Sequence, residues 1–309
     1  MRTITQQSVG GPQVLAVADV PQRNPGRGEI LVQVRAAGVN PFDCQVRAGQ
    51  IQLFGPPPFT LGLEFSGVVA DVGVDAGEFR PGDEVFGSAS PPHGSHAEYV
   101  LVPATSLAAK PHSLDHVHAA ALPIAGSAAL QALTTVAGIR AGQRVLVHGA
   151  AGGVGHLCVQ IAKSLGASVV GTARAINHPF LAELGADELI DYTTTDFATL
   201  RDIDVVLDTI SHDYGLRSLD VLVPGGLLID VVGLGIDRTA VKKRAGANGL
   251  RFVEFYVEPN AKDLARLAEL ADQGRLRPSV HTILPLTEAA TAHELSESRH
   301  VRGKLVLVP

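Results

Sequence analysis

The chain has 309 residues, of which 46% are hydrophobic and 18% charged, and its formal net charge is −6. This composition predicts two folded domains with sizeable cores and argues against disorder. A negative balance without any basic run argues against a nucleic-acid-binding surface. Two cysteines, Cys44 and Cys158, argue against a disulfide framework, so we expect a cytoplasmic protein. The sequence shows neither a membrane-length apolar stretch nor the pattern of a signal peptide.

Residues 1–112 contain short apolar or alternating runs separated by glycine and proline, which is typical of a β-rich domain. Residues 113–138 are alanine-rich with helical spacing, including a predicted helix over 128–136. The order of the short runs resembles that of the protein family described below, and this resemblance implies that segment 37–43 ends a later strand than the one that opens at Gly28. Other strands are predicted at 14–20, 29–36, 67–72, 84–86 and 96–102.

Residues 139–257 alternate between strand and helix patterns, which predicts a parallel, doubly wound sheet and an α/β fold. The remaining residues, 258–309, predict a helix over 261–273, a strand over 280–284, a helix over 287–298 and a last strand over 304–308. The strands of the alternating region are predicted at 144–148, 168–172, 188–191, 205–208, 226–232 and 251–257.

A glycine-rich turn, residues 149–155, stands between the predicted strand 144–148 and an apolar helix. Glycines also mark ordinary turns, so the turn alone is a weak signal. The strand before it, the helix after it and a second strand at 168–172 form a βαβ unit. This context favours a dinucleotide site, in which unpaired N–H groups at the helix start bind a pyrophosphate.

The same stretch resembles the quinone oxidoreductase/ζ-crystallin branch of the medium-chain dehydrogenase/reductase superfamily. The matching positions are Gly142-Gln143, Leu146, Ala150-Ala151-Gly152-Gly153, Gly155, Gln160 and Lys163. The resemblance implies a Rossmann nucleotide domain over 116–257. It also implies a β-rich, GroES-like barrel formed by residues 1–115 and a return segment, 258–309. A homodimer is expected from the family, with 251–257 as the candidate pairing strand, although that strand could equally be buried within one chain.

A metal site is not expected. Structural zinc needs four cysteines, and the chain has two. Where zinc-dependent relatives carry a cysteine and a histidine as ligands, this chain has Asn40 and Leu63, the latter followed by Glu64. His93 and His96 are close in sequence, but we interpret them as part of a polar loop.

A basic residue after the predicted strand 168–172, the second strand of the βαβ unit, favours NADP(H) over NAD. An NAD site places an acidic side chain there, whereas this chain has Arg174, which can pair with a 2′-phosphate; the alternative is a solvated surface arginine. The resemblance adds His178 and Tyr192 to this phosphate site, and His178 is weak for the task because it is mostly neutral at pH 7. The expected cofactor-binding residues are Ala150, Gly152, Gly153, Val154, Thr172, Arg174, His178, Tyr192, Thr209, Val232 and Phe255.

The expected catalytic residues are Asn40, Asp43 and Tyr256. Asn40 is a candidate hydrogen-bond donor to a developing enolate or hydroquinolate. Tyr256 could give a proton, although a core or interface tyrosine is the more common case. Asp43 could instead be a turn or cap residue after Pro41. Apolar residues at 51–54 and the triple proline at 56–58 are expected to shape an entrance for a small hydrophobic carbonyl or quinone.

The expected activity is hydride transfer from NADPH to a quinone or an α,β-unsaturated carbonyl. An enoyl or alkenal reductase is the close alternative, and a crystallin-like NADPH-binding protein or a non-redox cyclase are more distant ones. A short-chain dehydrogenase is set aside because none of the four tyrosines is followed by lysine four positions later.

Overall fold

A computed structural model gives the structure of the chain and describes residues 1–231 and 236–309. The chain divides into two compact units. Unit 1 consists of Met1–Ser127, Pro259–Gly274 and Pro278–Pro309, and unit 2 consists of Ala128–Glu258 and Arg275–Arg277. Within the described residues, no helix combines the length and apolar character that crossing a membrane requires.

The described residues form sixteen strands and nine α-helices. The strands are β1 (Arg2–Gln6), β2 (Leu15–Asp19), β3 (Glu29–Val39), β4 (Phe59–Thr60), β5 (Glu64–Val72), β6 (Glu84–Ser88), β7 (Tyr99–Pro103), β8 (Leu107–Ala109), β9 (Arg144–Val147), β10 (Ser168–Thr172), β11 (Glu188–Ile190), β12 (Ile203–Asp208), β13 (Leu222–Asp230), β14 (Arg251–Glu254), β15 (Val280–Pro285) and β16 (Lys304–Val308). The helices are α1 (Pro41–Arg47), α2 (His116–Ala119), α3 (Pro123–Gln131), α4 (Gly155–Ser164), α5 (His178–Glu183), α6 (Asp213–Ser218), α7 (Thr239–Ala247), α8 (Ala261–Asp272) and α9 (Ala289–Glu297).

Unit 2 is built on a parallel sheet of six strands in the order β11-β10-β9-β12-β13-β14. Its central strands are apolar on both faces, and Val145, Leu146 and Val147 are fully buried. The predicted doubly wound α/β fold is confirmed. The strand order reverses between β9 and β12, and the carboxyl ends of strands at such a point are where open α/β sheets bind ligands.

Unit 1 is β-rich, as the sequence predicts. Its main sheet has the order β15-β16-β3-β5-β6-β8, with β7 also paired to β3, and a smaller sheet has the order β2-β1-β4. β16, from the end of the chain, lies antiparallel to β3 and parallel to β15. Unit 1 therefore draws its sheet from segments far apart in sequence.

The expectation that residues 37–43 end a separate strand is wrong. β3 runs without interruption from Glu29 to Val39, and α1 begins at Pro41. The physical reason is a capping box: Asn40 is the N-cap, Pro41 follows at the first helical position, and the Asp43 carboxylate reaches back to the Asn40 backbone. These residues start a helix where the pattern favours extended chain.

Candidate active site

The glycine turn of unit 2 connects β9 to α4 through a close backbone approach. Gly149 has φ +60°, in the left-handed region that favours glycine. A Cβ on Gly155 would overlap the Gly149 carbonyl oxygen, so helix α4 can pack this closely only with glycine at that position. The turn therefore requires its glycines for the geometry that a dinucleotide loop uses.

The start of α4 leaves backbone donors available. Over the residues that the structure describes, the amide N–H groups of Gly153, Val154 and Gly155 have no acceptor. The N–H groups of Ala150 and Gly152 are already bonded, to the carbonyl oxygens of Thr172 and Gly149. The free donors and the positive end of the helix fit an anionic pyrophosphate, so this turn can hold a dinucleotide.

Two threonines that the sequence assigns to the cofactor hold the turn in place. The Thr172 hydroxyl accepts the Gly149 N–H at 3.3 Å and is hydrogen-bonded to His148 Nδ1 at 3.1 Å. The Thr209 hydroxyl donates to the His148 carbonyl oxygen at 2.8 Å. Both hydroxyls therefore hydrogen-bond to backbone atoms at the start of the glycine turn, at His148 and Gly149.

Sequence reasoning missed His148. Its imidazole is fully buried, and Nε2 lies 3.0 Å from the Ser218 hydroxyl. The rings of Phe197 and Tyr214 pack edge-on against it. Burial lowers the pKa of His148 to about 3, so the ring is neutral at ordinary pH. The His148 ring thus connects the hydroxyls of Thr172 and Ser218. Its place within a predicted strand does not indicate this role.

The predicted 2′-phosphate site contains one cation without a partner. Arg174 is half-buried, and its guanidinium has no hydrogen bond or ion pair to any described residue. His178 is already engaged, because its Nε2–H donates to the Ala173 carbonyl oxygen at 3.1 Å. Tyr192 is exposed.

Asp191 was missed at the same site. One of its carboxylate oxygens accepts the Ala175 N–H at 3.0 Å, and the other accepts the N–H and hydroxyl of Thr193. The Asp191 carboxylate is therefore hydrogen-bonded to the residue next to Arg174. Asp191 follows β11, whereas an NAD site has its acidic residue at the end of β10. It reduces the positive potential that a 2′-phosphate would meet.

The ends of β12 and β13 carry a pair of buried carboxylates. Asp208 Oδ1 accepts the N–H groups of Ile210 and Ser211, whereas Oδ2 has no partner in the described part of the chain. Burial raises the pKa of Asp208 to about 6. Asp230, the second carboxylate, is ion-paired with Arg238.

Three expected site residues follow β13 or β14. Val232 lies outside the described residues. The Phe255 N–H donates to the Asp230 carbonyl oxygen. Tyr256 is 46% exposed, so it does not occupy a core position.

In unit 1, Asn40 belongs to a buried charged cluster. Asn40 is 6% exposed. Its Nδ2 donates to Glu64 Oε1 at 2.9 Å, and its Oδ1 accepts from Lys304 Nζ at 2.6 Å. Lys304 Nζ also lies 2.6 Å from Glu64 Oε1. A Cβ on Gly38 would overlap the Glu64 carboxylate, so that glycine makes room for the cluster.

Asp43 has the geometry of a capping residue. It is fully buried, with Oδ2 accepting the Asn40 N–H at 2.8 Å and Oδ1 accepting the Gly62 N–H at 3.0 Å. Burial raises the pKa of its carboxyl. These contacts are the cap alternative considered for Asp43, and they orient the backbone of the neighbouring Asn40.

His93 and His96 lie in a loop, as interpreted, but the two side chains differ in exposure. His96 is fully buried and its Nε2–H donates to the Gly38 carbonyl oxygen at 3.3 Å, whereas His93 is exposed. The described residues contain no group of three or more histidine, cysteine or acidic side chains that could hold a metal ion.

Two protein-family models match parts of the chain. The family "Alcohol dehydrogenase GroES-like domain" matches residues 26–112, and "Zinc-binding dehydrogenase" matches residues 184–307. A 2-haloacrylate reductase from Burkholderia sp is 33% identical, over 97% of this chain and 96% of the relative.

Two solved structures have the same fold. The quinone oxidoreductase from Coxiella burnetii is 38% identical with a TM-score of 0.93, covering 100% of this chain and 99% of the other. The Escherichia coli quinone oxidoreductase, solved in complex with NADPH, is 28% identical with a TM-score of 0.88, covering 100% of both chains. With the glycine turn, these similarities identify a nicotinamide-dependent oxidoreductase. The chain belongs to the quinone oxidoreductase-like branch of the medium-chain dehydrogenase/reductase family.

Proposed function

We propose that the protein is an NADPH-dependent reductase that transfers hydride to a quinone or an α,β-unsaturated carbonyl without a metal. The observation that carries the proposal is the glycine turn with its free N–H donors at the start of α4. The relatives named as quinone oxidoreductase and 2-haloacrylate reductase support both substrate classes, since each acceptor is electron-poor.

The reduced nicotinamide supplies the hydride, and the chain's residues orient the acceptor and stabilise the charge that develops on its oxygen. Asn40 is the proposed donor to that oxygen, through its carboxamide N–H. Tyr256 is accessible to solvent and is a candidate proton donor, with water as the alternative source. The edge-to-face pair of Phe42 and Phe54, beside the exposed Leu53, supports an apolar entrance.

NADPH is the proposed form of the cofactor because Arg174 has a guanidinium free to pair with a 2′-phosphate. The neighbouring Asp191 carboxylate opposes this preference, so we expect a moderate preference rather than an absolute one.

An enone reductase is the second candidate. The 2-haloacrylate reductase that matches nearly the whole chain favours it, because a haloacrylate is an activated alkene rather than a quinone.

The first test follows loss of the reduced-nicotinamide absorbance with NADPH and NADH, against a panel of quinones and enones. We expect NADPH to be oxidised, and Gly152→Leu to abolish this because a side chain there blocks the approach of the pyrophosphate. Gly246→Leu is the matched control, since the Gly246 position in α7 opens onto free space. Binding of NADPH without reduction of any acceptor would instead favour a crystallin-like or cyclase function.

A further inference from the structure

Lys304 is a buried lysine whose ammonium group lies against three oxygen atoms of the chain. It is 3% exposed and lies at the start of β16. Its Nζ is 2.6 Å from Glu64 Oε1, 2.6 Å from Asn40 Oδ1 and 3.1 Å from the Val39 carbonyl oxygen. Two of these contacts are hydrogen bonds and the third is an ion pair, so the ammonium is engaged by the chain's own oxygen atoms.

This contact fixes which way the Asn40 carboxamide points. Its oxygen faces the Lys304 ammonium and its nitrogen faces the Glu64 carboxylate. Rotating the amide by 180° would set its NH₂ against the ammonium and its oxygen against the carboxylate, and both contacts would be repulsive. The opposite charges on the two sides therefore select one orientation.

One amide hydrogen of Asn40 remains for a ligand. An asparagine amide has two N–H donors, and Glu64 Oε1 accepts one of them. The ammonium at Oδ1 withdraws electron density from the amide, which strengthens the remaining N–H as a donor. The Glu64 Oε2 atom is occupied separately, by the Ile124 N–H at 2.8 Å, so the carboxylate cannot turn away from Asn40.

We propose that Lys304 is a positioning residue for the reduction: with Glu64, it orients and polarises the Asn40 carboxamide so that one N–H is presented to the acceptor oxygen. This inference rests on the proposed function, because it assigns Asn40 as the donor to that oxygen.

A purely structural role for Lys304 must be separated from this one. Removing one partner of a buried ion pair leaves an uncompensated charge and destabilises the fold by itself. Lys304→Met is therefore compared with Glu64→Gln/Lys304→Met, which removes both charges. Lys110→Met is the matched control, because Lys110 is also buried in unit 1, at 8% exposure, and its ammonium donates to the carbonyl oxygens of Pro111 and Leu114.

The first readout is independent of activity. The NMR resonances of the Asn40 side-chain amide can be assigned because they disappear in Asn40→Ala. They should shift in Lys304→Met and in Glu64→Gln/Lys304→Met. They should return toward the wild-type position in Lys304→Arg and stay unchanged in Lys110→Met. Unchanged Asn40 resonances in folded Lys304→Met would overturn the proposal.

The second readout is kinetic, with NADPH and the best acceptor of the panel. We expect Lys304→Met to lower kcat/KM by roughly 10- to 100-fold, with little change in the Kd for NADPH. This is less than the outright loss of an oxyanion donor costs, because the Asn40 amide keeps its N–H groups and loses only their orientation. Adding Lys304→Met to Asn40→Ala should cost nothing further, because the two act through one amide. Equal losses in both backgrounds would overturn the role of Lys304. If wild-type protein reduces no acceptor, the proposed function fails instead, and the amide resonances still test the orientation.

Discussion

Among single residues, Arg174 has the largest expected effect on cofactor choice. Its guanidinium is free among the described residues, and a charge-assisted pair with a 2′-phosphate contributes about 1.5 to 3 kcal/mol. We expect Arg174→Ala to raise the Kd for NADPH by roughly 10- to 100-fold and to leave the Kd for NADH unchanged. Titration calorimetry with both cofactors measures this. Arg140→Ala, at an exposed arginine of unit 2, is the control, and parallel losses for both cofactors would contradict the assignment.

Asp208 should make the stability of the protein depend on pH. Its folded pKa of about 6 lies above the ordinary 3.8, so the folded state holds the proton more tightly than the unfolded state. This contribution to stability is full below about pH 3.8 and is lost as pH rises through 6. The difference between the two pKa values makes this contribution about 3 kcal/mol at low pH, and almost none of it remains at neutral pH.

We therefore expect Asp208→Asn to raise the free energy of unfolding at pH 7.5 by up to about 3 kcal/mol, with the gain vanishing toward pH 4. Asparagine keeps an oxygen for the N–H groups of Ile210 and Ser211. Denaturant unfolding of both proteins across this range measures the difference. A gain that does not vary with pH would show that ionisation of Asp208 is not its cause.

Local sequence predicts the residues whose role depends on the backbone, and misses those whose role depends on a distant partner. Gly155 could be identified because strand, turn and helix are contiguous. Asp191 and His148 could not, since their partners Ala175 and Ser218 lie 16 and 70 positions away. Lys304 is the extreme case, being 264 positions from Asn40.

Elements were predicted best where burial and periodicity agree. β10 occupies Ser168–Thr172 and β16 occupies Lys304–Val308, as expected, because both strands are apolar and bounded by clear turns. α8 ends at Asp272, one residue before the expected end, and Asn260 caps its start by accepting the Asp263 N–H.

Short or polar strands were missed. β1 (Arg2–Gln6) and the two-residue β4 (Phe59–Thr60) carry little apolar pattern of their own. They exist because each pairs with another segment, β1 with both β2 and β4. A strand whose stability comes from pairing leaves a weak trace in its own residues.

At the scale of the whole molecule, unit 1 depends on the last strand of the chain. β16 lies between β15 and β3, and Leu305, Val306 and Leu307 are buried there. Removing β16 would leave β15 and β3 without their shared partner and would expose an interior edge of the sheet. All six strands of the unit 2 sheet lie between Arg144 and Glu254, so that sheet needs no later part of the chain.

We expect deletion of residues 303–309 to remove amide-exchange protection from β3 and β5, while β9, β10 and β12 stay protected. Hydrogen exchange with mass spectrometry resolves these segments. Deletion of Pro309 alone, which leaves β16 intact, is the control. Equal loss of protection in β9 and β3 would show that the two units unfold together.

The pairing of β3 with β16 also sets an order for folding during synthesis. Strand β3 leaves the ribosome before unit 2 is made, but it must wait for a partner strand made about 265 residues later. Unit 2, whose strands lie close together in sequence, can form its sheet meanwhile. The Asn40 amide acquires its ammonium partner only when Lys304 arrives, so a nascent chain can gain its dinucleotide turn well before its candidate substrate-binding donor is set.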